Sequence, residues 1–392
     1  MQTCSSRPLT IMVSAGEASG DLHAAHALAS LKQQGIAFNS FGMGAGELEA
    51  VGTDILVDCR SLAVIGFIDV LLNYHRFLRR LKKLRRAMRE RRPDVLFLTD
   101  YPDFNLKLAE TAKELGIPVL FYVSPQLWAW RSGRIHRIGR LVSHMAVLFP
   151  FEVKIYAEHD IPVTFVGNPL VDEITLEDTP EEARSKLGID AGSGPVIALL
   201  PGSRSGELSR NLPRMLDAAR RLAERYPDAR FVLPVAGSLG REAVEAQIEE
   251  ANAASPFPHL ALIDGESLRV MRAADVALVA SGTATLETAL IGTPMVVMYV
   301  VAPLNHAIMK RLIRIPDIAL VNIVAERRVV PEFLQHEATG KALATAVSTL
   351  LDDPEVRRQM ITDLAEVRTR LGDGGASEKV AELIVQLGSA AR

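Results

Sequence analysis

The sequence predicts an α/β protein made of two doubly wound, Rossmann-like domains facing one another across a cleft. Three observations carry that expectation. The 392 residues exceed what one ordinary core organises, so two domains are expected. Short apolar runs alternate with stretches of helical periodicity from end to end, the pattern of strand–helix units in parallel sheets. The alternation falls into two consecutive series, and a composition 48% apolar and 23% charged is that of a globular chain.

In the first series the candidate strands are residues 9–13, 37–41, 95–98, 119–123, 144–148 and 164–166. After the first, the turn Ser14-Ala-Gly-Glu-Ala-Ser-Gly-Asp21 leads into a helix expected from Leu22, while Gly42-Met-Gly-Ala-Gly46 reads as a turn. A cation-dense helix covers residues 76–92; Phe77, Leu81, Leu84 and Met88 recur on it at helical spacing, so one stripe packs inward. The second series comprises 196–200, 230–234, 260–263, 276–280, 295–299 and 319–322. A seam is expected near Gly167-Asn168-Pro169, ahead of the acidic residues 172–182, giving domains 1–168 and 169–375. A last helix over 378–387 lies in a terminal segment, 376–392, that can pack back on the first domain.

Two cysteines, Cys4 and Cys59, argue against a disulfide framework and fit a reducing cytosol. The apolar stretch near the N-terminus is too short for a signal-peptide core. No run approaches the roughly 18 apolar residues that span a bilayer, so a cytoplasmic protein is expected. The net charge of -3 conceals an asymmetry: residues 1–170 hold 20 Lys+Arg against 16 Asp+Glu, the remainder 24 against 31. Most of the excess lies in residues 76–92, where ten basic residues meet one acid, Glu90.

Two stretches of the second half look like walls of one anion pocket. Leu199-Leu-Pro-Gly-Ser203-Arg204-Ser-Gly-Glu207 and Ala280-Ser281-Gly282-Thr283-Ala-Thr285-Leu-Glu287 each follow an apolar run and enter a helical pattern. Backbone N–H groups at a helix start have no internal partner and carry partial positive charge, which suits phosphate. Arg204 adds a permanently charged planar donor able to clamp a diphosphate. Glu287, about two turns into its helix, could accept hydrogen bonds from a ribose diol. Together they point to a nucleoside diphosphate; two glycine-bearing packing turns are the competing reading.

In the first half, Ser14–Asp21 matches neither a Walker loop nor a dinucleotide fingerprint. Glu17 there would repel a phosphate and fits a sugar hydroxyl, or a helix start. Thr99-Asp100-Tyr-Pro-Asp103-Phe-Asn105 places two carboxylates at a strand end, and Asp100 is the better candidate for a general base, with capping as the alternative. Tyr122-Val-Ser-Pro-Gln126-Leu-Trp128-Ala-Trp130-Arg131 pairs both tryptophans with arginine and could line a pocket for a sugar phosphate, or one tryptophan could simply plug the core. His23 and His26 stand three apart without a supporting cysteine or third histidine, so no metal site is expected. Val64, Ile65, Phe67, Ile68 and Leu71, followed by Arg76, Arg79 and Arg80, suit a surface that docks on anionic lipid, or else a solvated helix. No nucleic-acid signature accompanies these cations.

As a set, these motifs closely resemble lipid-A-disaccharide synthase, in the right order over nearly the whole chain. The Ser-Pro-x-x-Trp-Ala-Trp-Arg run ending at Arg131 is specific, whereas the Gly-Ser-Arg and Gly-Thr-x-x-Leu-Glu motifs occur more widely among GT-B glycosyltransferases. The resemblance implies an inverting transfer of 2,3-diacylglucosamine from UDP to the 6-hydroxyl of 2,3-diacylglucosamine 1-phosphate, giving a β-1,6 disaccharide phosphate and UDP. It implies Asp100 as base with Glu17 as the alternative, Asn322 as a further residue of the nucleotide site, and Asn105, Gln126, Trp130 and Arg131 on the acceptor side. It implies no metal and no cofactor, and a peripheral place on the cytoplasmic face of an anionic inner membrane. A homodimer is compatible with the sequence. Two rivals stand beside this reading: a UDP-N-acetylglucosamine 2-epimerase and a peripheral membrane protein that senses UDP-sugars.

Overall fold

The computed structural model describes residues 7–61, 67–125, 127, 132–175, 177–189, 192, 194–252, 260–302 and 317–390. The chain divides into two compact units, Met1–Asp172 joined by Gly372–Arg392, and Glu173–Leu371. The division thus falls four residues beyond the seam at residue 168.

The first unit is built on seven strands: β1 (Leu9–Ala15), β2 (Phe38–Gly44), β3 (Asp54–Asp58), β4 (Val95–Thr99), β5 (Val119–Tyr122), β6 (His144–Val147) and β7 (Val163–Phe165). Their order is β3-β2-β1-β4-β5-β6-β7, every pairing parallel. The second unit has β8 (Val196–Leu200), β9 (Arg230–Val235), β10 (Leu260–Asp264), β11 (Val276–Ala280), β12 (Met295–Tyr299) and β13 (Glu332–Leu334), in the order β10-β9-β8-β11-β12-β13, again all parallel. Each sheet therefore reverses direction once, between β1 and β4 and between β8 and β11. In an open parallel sheet that reversal leaves a crevice beyond the carboxyl ends of the two neighbours, where ligands bind.

Parallel strands covered on both faces need apolar side chains throughout. All residues of β4, β8 and β11 are buried, and β1 is buried at every position except Thr10. Alternation sorts the first core. Met12, Leu96, Leu98 and Phe121 pack with Leu84 and Met88 of helix Phe67–Arg91 and Phe104 of helix Pro102–Glu114. Ile11, Val13, Val95 and Phe97 pack with Leu28 of helix Ala18–Gln33 and Val380 and Ile384 of helix Ala376–Ala390. The chain end is thereby part of the first unit. Asp172 receives it, its carboxylate accepting from the N–H groups of Gly375 (2.9 Å) and Ala376 (3.3 Å). Gly388 lies so close to β1 that a side-chain carbon there would stand 2.7 Å from Leu9 Cδ1.

Several elements differ from the sequence reading, each for a local reason. Residues 319–322 are not a strand: helix Leu320–Ala325 occupies them and the edge strand is Glu332–Leu334. A run of three apolar residues, Ala319 to Val321, cannot be told from a buried helical turn by period alone. Gly42 to Gly44 belong to β2 rather than a turn; the register shifts between Gly42 and Met43, and Gly42 (φ 152°) passes so near β1 that a side-chain carbon would meet Val13 O at 1.8 Å. Strand β3 is a half-buried edge with little apolar signal. The first helix begins at Ala18, four residues before Leu22, and the basic helix begins at Phe67, so its apolar and cationic portions are one element. Its inward stripe is as expected: Leu81, Leu84 and Met88 are buried, and Phe77 meets Phe104 edge to face at 5.1 Å.

Candidate active site

At the first reversal, the segments after β1 and β4 lie side by side, Ala15 registering with Thr99. Asp100 and Tyr101 both turn left-handed, φ 48° and 39°, a conformation costing roughly 1 kcal/mol or more per residue. Val123, at the end of neighbouring β5, is left-handed too (φ 64°), unusual for a β-branched residue. The Asp100 carboxylate accepts from Gly16 N–H at 2.9 Å and Glu17 N–H at 3.3 Å. A side-chain carbon at Gly20 would fall 1.7 Å from Asp100 Oδ2, and one at Gly16 would fall 2.3 Å from Tyr101 Cβ. The glycines of Ser14–Asp21 thus make room for the β4 loop. Burial pushes the Asp100 carboxyl up to about 8, with the charges of Glu17 and Asp21 adding to the rise against the two N–H donors.

The neighbouring polar residues have separate tasks. Glu17 is exposed beside Asp100. Asp21 is buried and caps helix Gly46–Ala50, accepting from Ala45 N–H (2.6 Å) and Glu47 N–H (3.0 Å). Asn105, an acceptor-binding residue by resemblance, is fully buried with its amide engaged by Ser14, Thr99 and Asp100 rather than turned toward solvent. Asp103 is ion-paired with Arg134. Gln126, Trp130 and Arg131, like Val64 and Ile65, lie outside the described residues; Phe67, Ile68 and Leu71 fall on the first turns of helix Phe67–Arg91. On that helix Arg76 and Arg79 are exposed. Arg80 departs from the lipid-facing expectation: it is half-buried, Nη1 is enclosed, and its charge acts on Asp58 and Tyr101.

At the second reversal, β8 leads through Pro201, Gly202 and Ser203 to Arg204, the N-cap of helix Ser205–Arg225. Arg204 is an open cation, its side chain 79% exposed, pairing with Glu207 at 3.0 Å. The other Glu207 oxygen accepts from Ser203 N–H at 3.2 Å and lies over Gly202, where a side-chain carbon would meet it at 2.5 Å. Ser238 donates to Ser203 O (2.7 Å) and Asn211 to Pro201 O (2.9 Å), fixing the turn from both sides. Ser238 and Asn211 carry no signal in the sequence reading, and Glu207 stands in the motif without this role, although a carboxylate three residues past an N-cap is a recognisable capping position.

The facing turn after β11 caps helix Thr283–Ile291 with Gly282. Thr283 is exposed and Ser281 half-buried, whereas the Thr285 hydroxyl donates to Gly282 O at 2.8 Å, so Thr285 holds the turn rather than presenting a donor. Glu287 is the fifth residue of that helix, about one turn in rather than two; burial, then the charge of Glu173, pushes its carboxyl up. Asn322 does not project from a strand end. It is buried within helix Leu320–Ala325, accepting from the Val329 and Val330 N–H groups (2.9 and 3.0 Å) and donating to Val330 O and Glu332. Glu332 in turn accepts from Ile318 and Ala319 N–H, and Ser281 Oγ donates to Ile318 O at 3.4 Å. Asn322 and Glu332 thus shape the backbone beside Ser281.

A family model described as lipid-A-disaccharide synthetase matches residues 11–385. The chain belongs to the lipid-A-disaccharide synthase family. It is 42% identical over 377 residues to lipid-A-disaccharide synthase of Geobacter metallireducens, covering 96% of this chain and 97% of that one. It is 44% identical over 375 residues to the Anaeromyxobacter dehalogenans synthase, covering 96% of each. Among solved structures it is similar to UDP-GlcNAc 2-epimerase from Neisseria meningitidis bound to UDP-GlcNAc (TM-score 0.61, 14% identity, 96% and 100% covered) and to Acinetobacter baumannii MurG (TM-score 0.59, 18% identity, 97% and 100% covered). These distant likenesses establish the GT-B fold alone. The family membership decides between the enzyme classes: the chain is a UDP-sugar glycosyltransferase of lipid A disaccharide formation, not an epimerase.

Proposed function

We propose that the chain transfers 2,3-diacylglucosamine from UDP to the 6-hydroxyl of 2,3-diacylglucosamine 1-phosphate in a single inverting displacement. The acceptor proton passes to the Asp100 carboxylate as O6 attacks the sugar C1, and the bond from C1 to UDP breaks. One base suffices, and no covalent sugar–enzyme intermediate forms. The observation that carries this reading is Asp100, a carboxylate held by two backbone N–H groups and tuned by burial toward neutrality, where a general base works best. Glu17, on the turn after β1 whose N–H meets Asp100, is the second carboxylate and a contact for a sugar hydroxyl.

The second unit holds the donor. Ser203, Arg204, Ser281, Gly282 and Thr283 receive the diphosphate and stabilise charge developing on leaving UDP, and Glu287 accepts from the ribose. Thr285 and Asn322 maintain those turns. Gln126, Trp130 and Arg131 take the acceptor sugar phosphate. The first unit also carries the membrane contact, peripheral on the cytoplasmic face of the inner membrane, through Phe67, Ile68 and Leu71 with Arg76 and Arg79. No described helix is long and apolar enough to cross a membrane.

The test incubates purified protein with both lipid substrates, with and without chelator, and follows disaccharide and UDP by mass spectrometry alongside Asp100→Ala. Chelator-resistant product, lost in the variant while UDP binding persists, is the expected result. Full turnover by Asp100→Ala would remove Asp100 from the mechanism.

A further inference from the structure

The left-handed turn at Asp100 and Tyr101 needs an explanation that the carboxylate itself does not supply. Aspartate tolerates positive φ better than most residues, tyrosine does not, and such conformations persist only where the surroundings over-determine them. Beside the contacts of Gly16, Glu17 and Gly20, one buried side chain ties the backbone on both sides of the turn. Asn105, in the first turn of helix Pro102–Glu114, is 0% exposed. Its Oδ1 accepts from Ser14 Oγ at 2.6 Å, and its Nδ2 donates toward three carbonyls: Thr99 and Asp100, each at 2.9 Å, and Ser14 at 3.2 Å. Its backbone N–H is bound to Tyr101 O at 3.1 Å. The carbonyls at the ends of two adjacent strands are thus gathered onto one buried amide.

We propose that Asn105 is a positioning residue for the transfer, fixing in one clamp the backbone of Asp100 and the end of β1 that delivers Gly16 and Glu17 N–H to its carboxylate. The inference rests on Asp100 as the base. Among the described residues Asn105 makes no hydrogen bond to that carboxylate, and it is fully buried, so it acts on the base through backbone geometry. A carboxylate displaced by an ångström from its line to the acceptor hydroxyl loses rate without loss of binding. It also loses hydrogen bonds that favour its charged form. The charged and titratable groups that act on Asp100 or its neighbour Tyr101 are Glu17 and Asp21 at the start of helix Ala18–Gln33, Cys59 after β3, Asp103, and Arg80 of helix Phe67–Arg91. None of them changes in the variants below.

The experiment compares the full-length parent with Asn105→Ala, Ser14→Ala, Asp100→Asn and the Asp100→Asn/Asn105→Ala double variant. It measures kcat and KM for both lipid substrates, the pH profile of kcat, UDP affinity and thermal unfolding. Asn105→Ala is expected to lower kcat at least tenfold with KM and UDP affinity within about threefold, and to move the limb of the pH profile upward. Ser14→Ala, which removes one hydroxyl and leaves the three carbonyl contacts, should shift both in the same direction by less. In the Asp100→Asn background, Asn105→Ala should cost nothing further. A folded Asn105→Ala with kcat within twofold of the parent, or with the limb not raised, overturns the proposal. If Asn105→Ala does not fold, Ser14→Ala decides, and an unchanged kcat and limb overturns it. Retained activity in Asp100→Asn would instead remove the base assignment, a distinct outcome.

Discussion

The two sheet reversals of this molecule have the same topology and opposite preparation. After β4, a carboxylate is folded inward, received by two N–H groups, backed by glycines with no room for a side chain, and set in consecutive left-handed residues. After β8, the corresponding turn presents a guanidinium 79% exposed and paired with Glu207, a neighbour on its own helix. On the proposed roles, the base is organised by the protein itself and the anion clamp is left for the ligand to organise. The difference matches the chemistry: a proton acceptor must be tuned and aimed in advance, whereas a diphosphate brings charge enough to order the groups that bind it. It also says where substitutions should act, on the chemical step at the first reversal and on binding at the second.

The largest effect should break the first half of that contrast. Asp100→Asn keeps the shape and removes the base, so kcat should fall by about 10²–10⁴-fold while UDP affinity, measured by calorimetry, stays within about twofold. Next comes Arg204→Ala, expected to lower kcat/KM by about 10²-fold and to weaken UDP binding. Arg204→Lys should recover only part of this, because an ammonium cannot bridge two phosphate oxygens as a planar fork does. An Arg204→Ala enzyme with unaltered UDP affinity would contradict the assignment of the second reversal.

The pH dependence sharpens the same contrast. With its carboxyl pushed up to about 8, Asp100 is mostly protonated at neutrality, so kcat should rise about tenfold from pH 6 to 7 and level above 8. The sign for stability is opposite. The folded state holds this proton more tightly than the unfolded chain, so stability from Asp100 is complete below about pH 4 and is lost as pH rises through 8. Asp100→Asn should therefore unfold at a higher temperature than the parent at pH 9 and at the same temperature at pH 4. Parallel melting curves across that range would contradict the buried, proton-holding state of Asp100.

What the sequence disclosed follows the range of the interactions. The strands after which Asp100, Arg204 and Ser281 stand were legible because each is a short apolar run buried on both faces, and the turns because hydroxyls, glycines and charges cluster there. Asn105 and Asn322 were legible as polar residues in notable motifs but not as buried ones: each amide is consumed by carbonyls and N–H groups that only the fold brings near. Ser14 meets Asn105 across 91 positions of sequence, and Ser238 meets Ser203 across 35. Helix Leu320–Ala325 was misread because its apolar run is shorter than the period needed to tell it from a strand. Its place is fixed by Glu332, which caps it from the edge strand.

The smallest effect tests the open clamp most directly. Glu207 places one oxygen on Ser203 N–H and the other on Arg204, the two donors that the proposed diphosphate would use. On the proposed role of these donors, a carboxylate there is an internal substitute for the ligand and would have to yield to UDP. Two like charges about 4 Å apart in fully water-like surroundings repel by roughly 1 kcal/mol, so Glu207→Gln, which keeps the size and one of the two acceptor oxygens, should tighten UDP binding about three- to tenfold. The gain should shrink as salt rises and screens the repulsion. If Glu207 served only to cap its helix, the variant would instead melt earlier with UDP affinity unchanged. The pair of measurements, unfolding temperature and UDP affinity at two salt concentrations, separates a clamp held open for its ligand from one already complete.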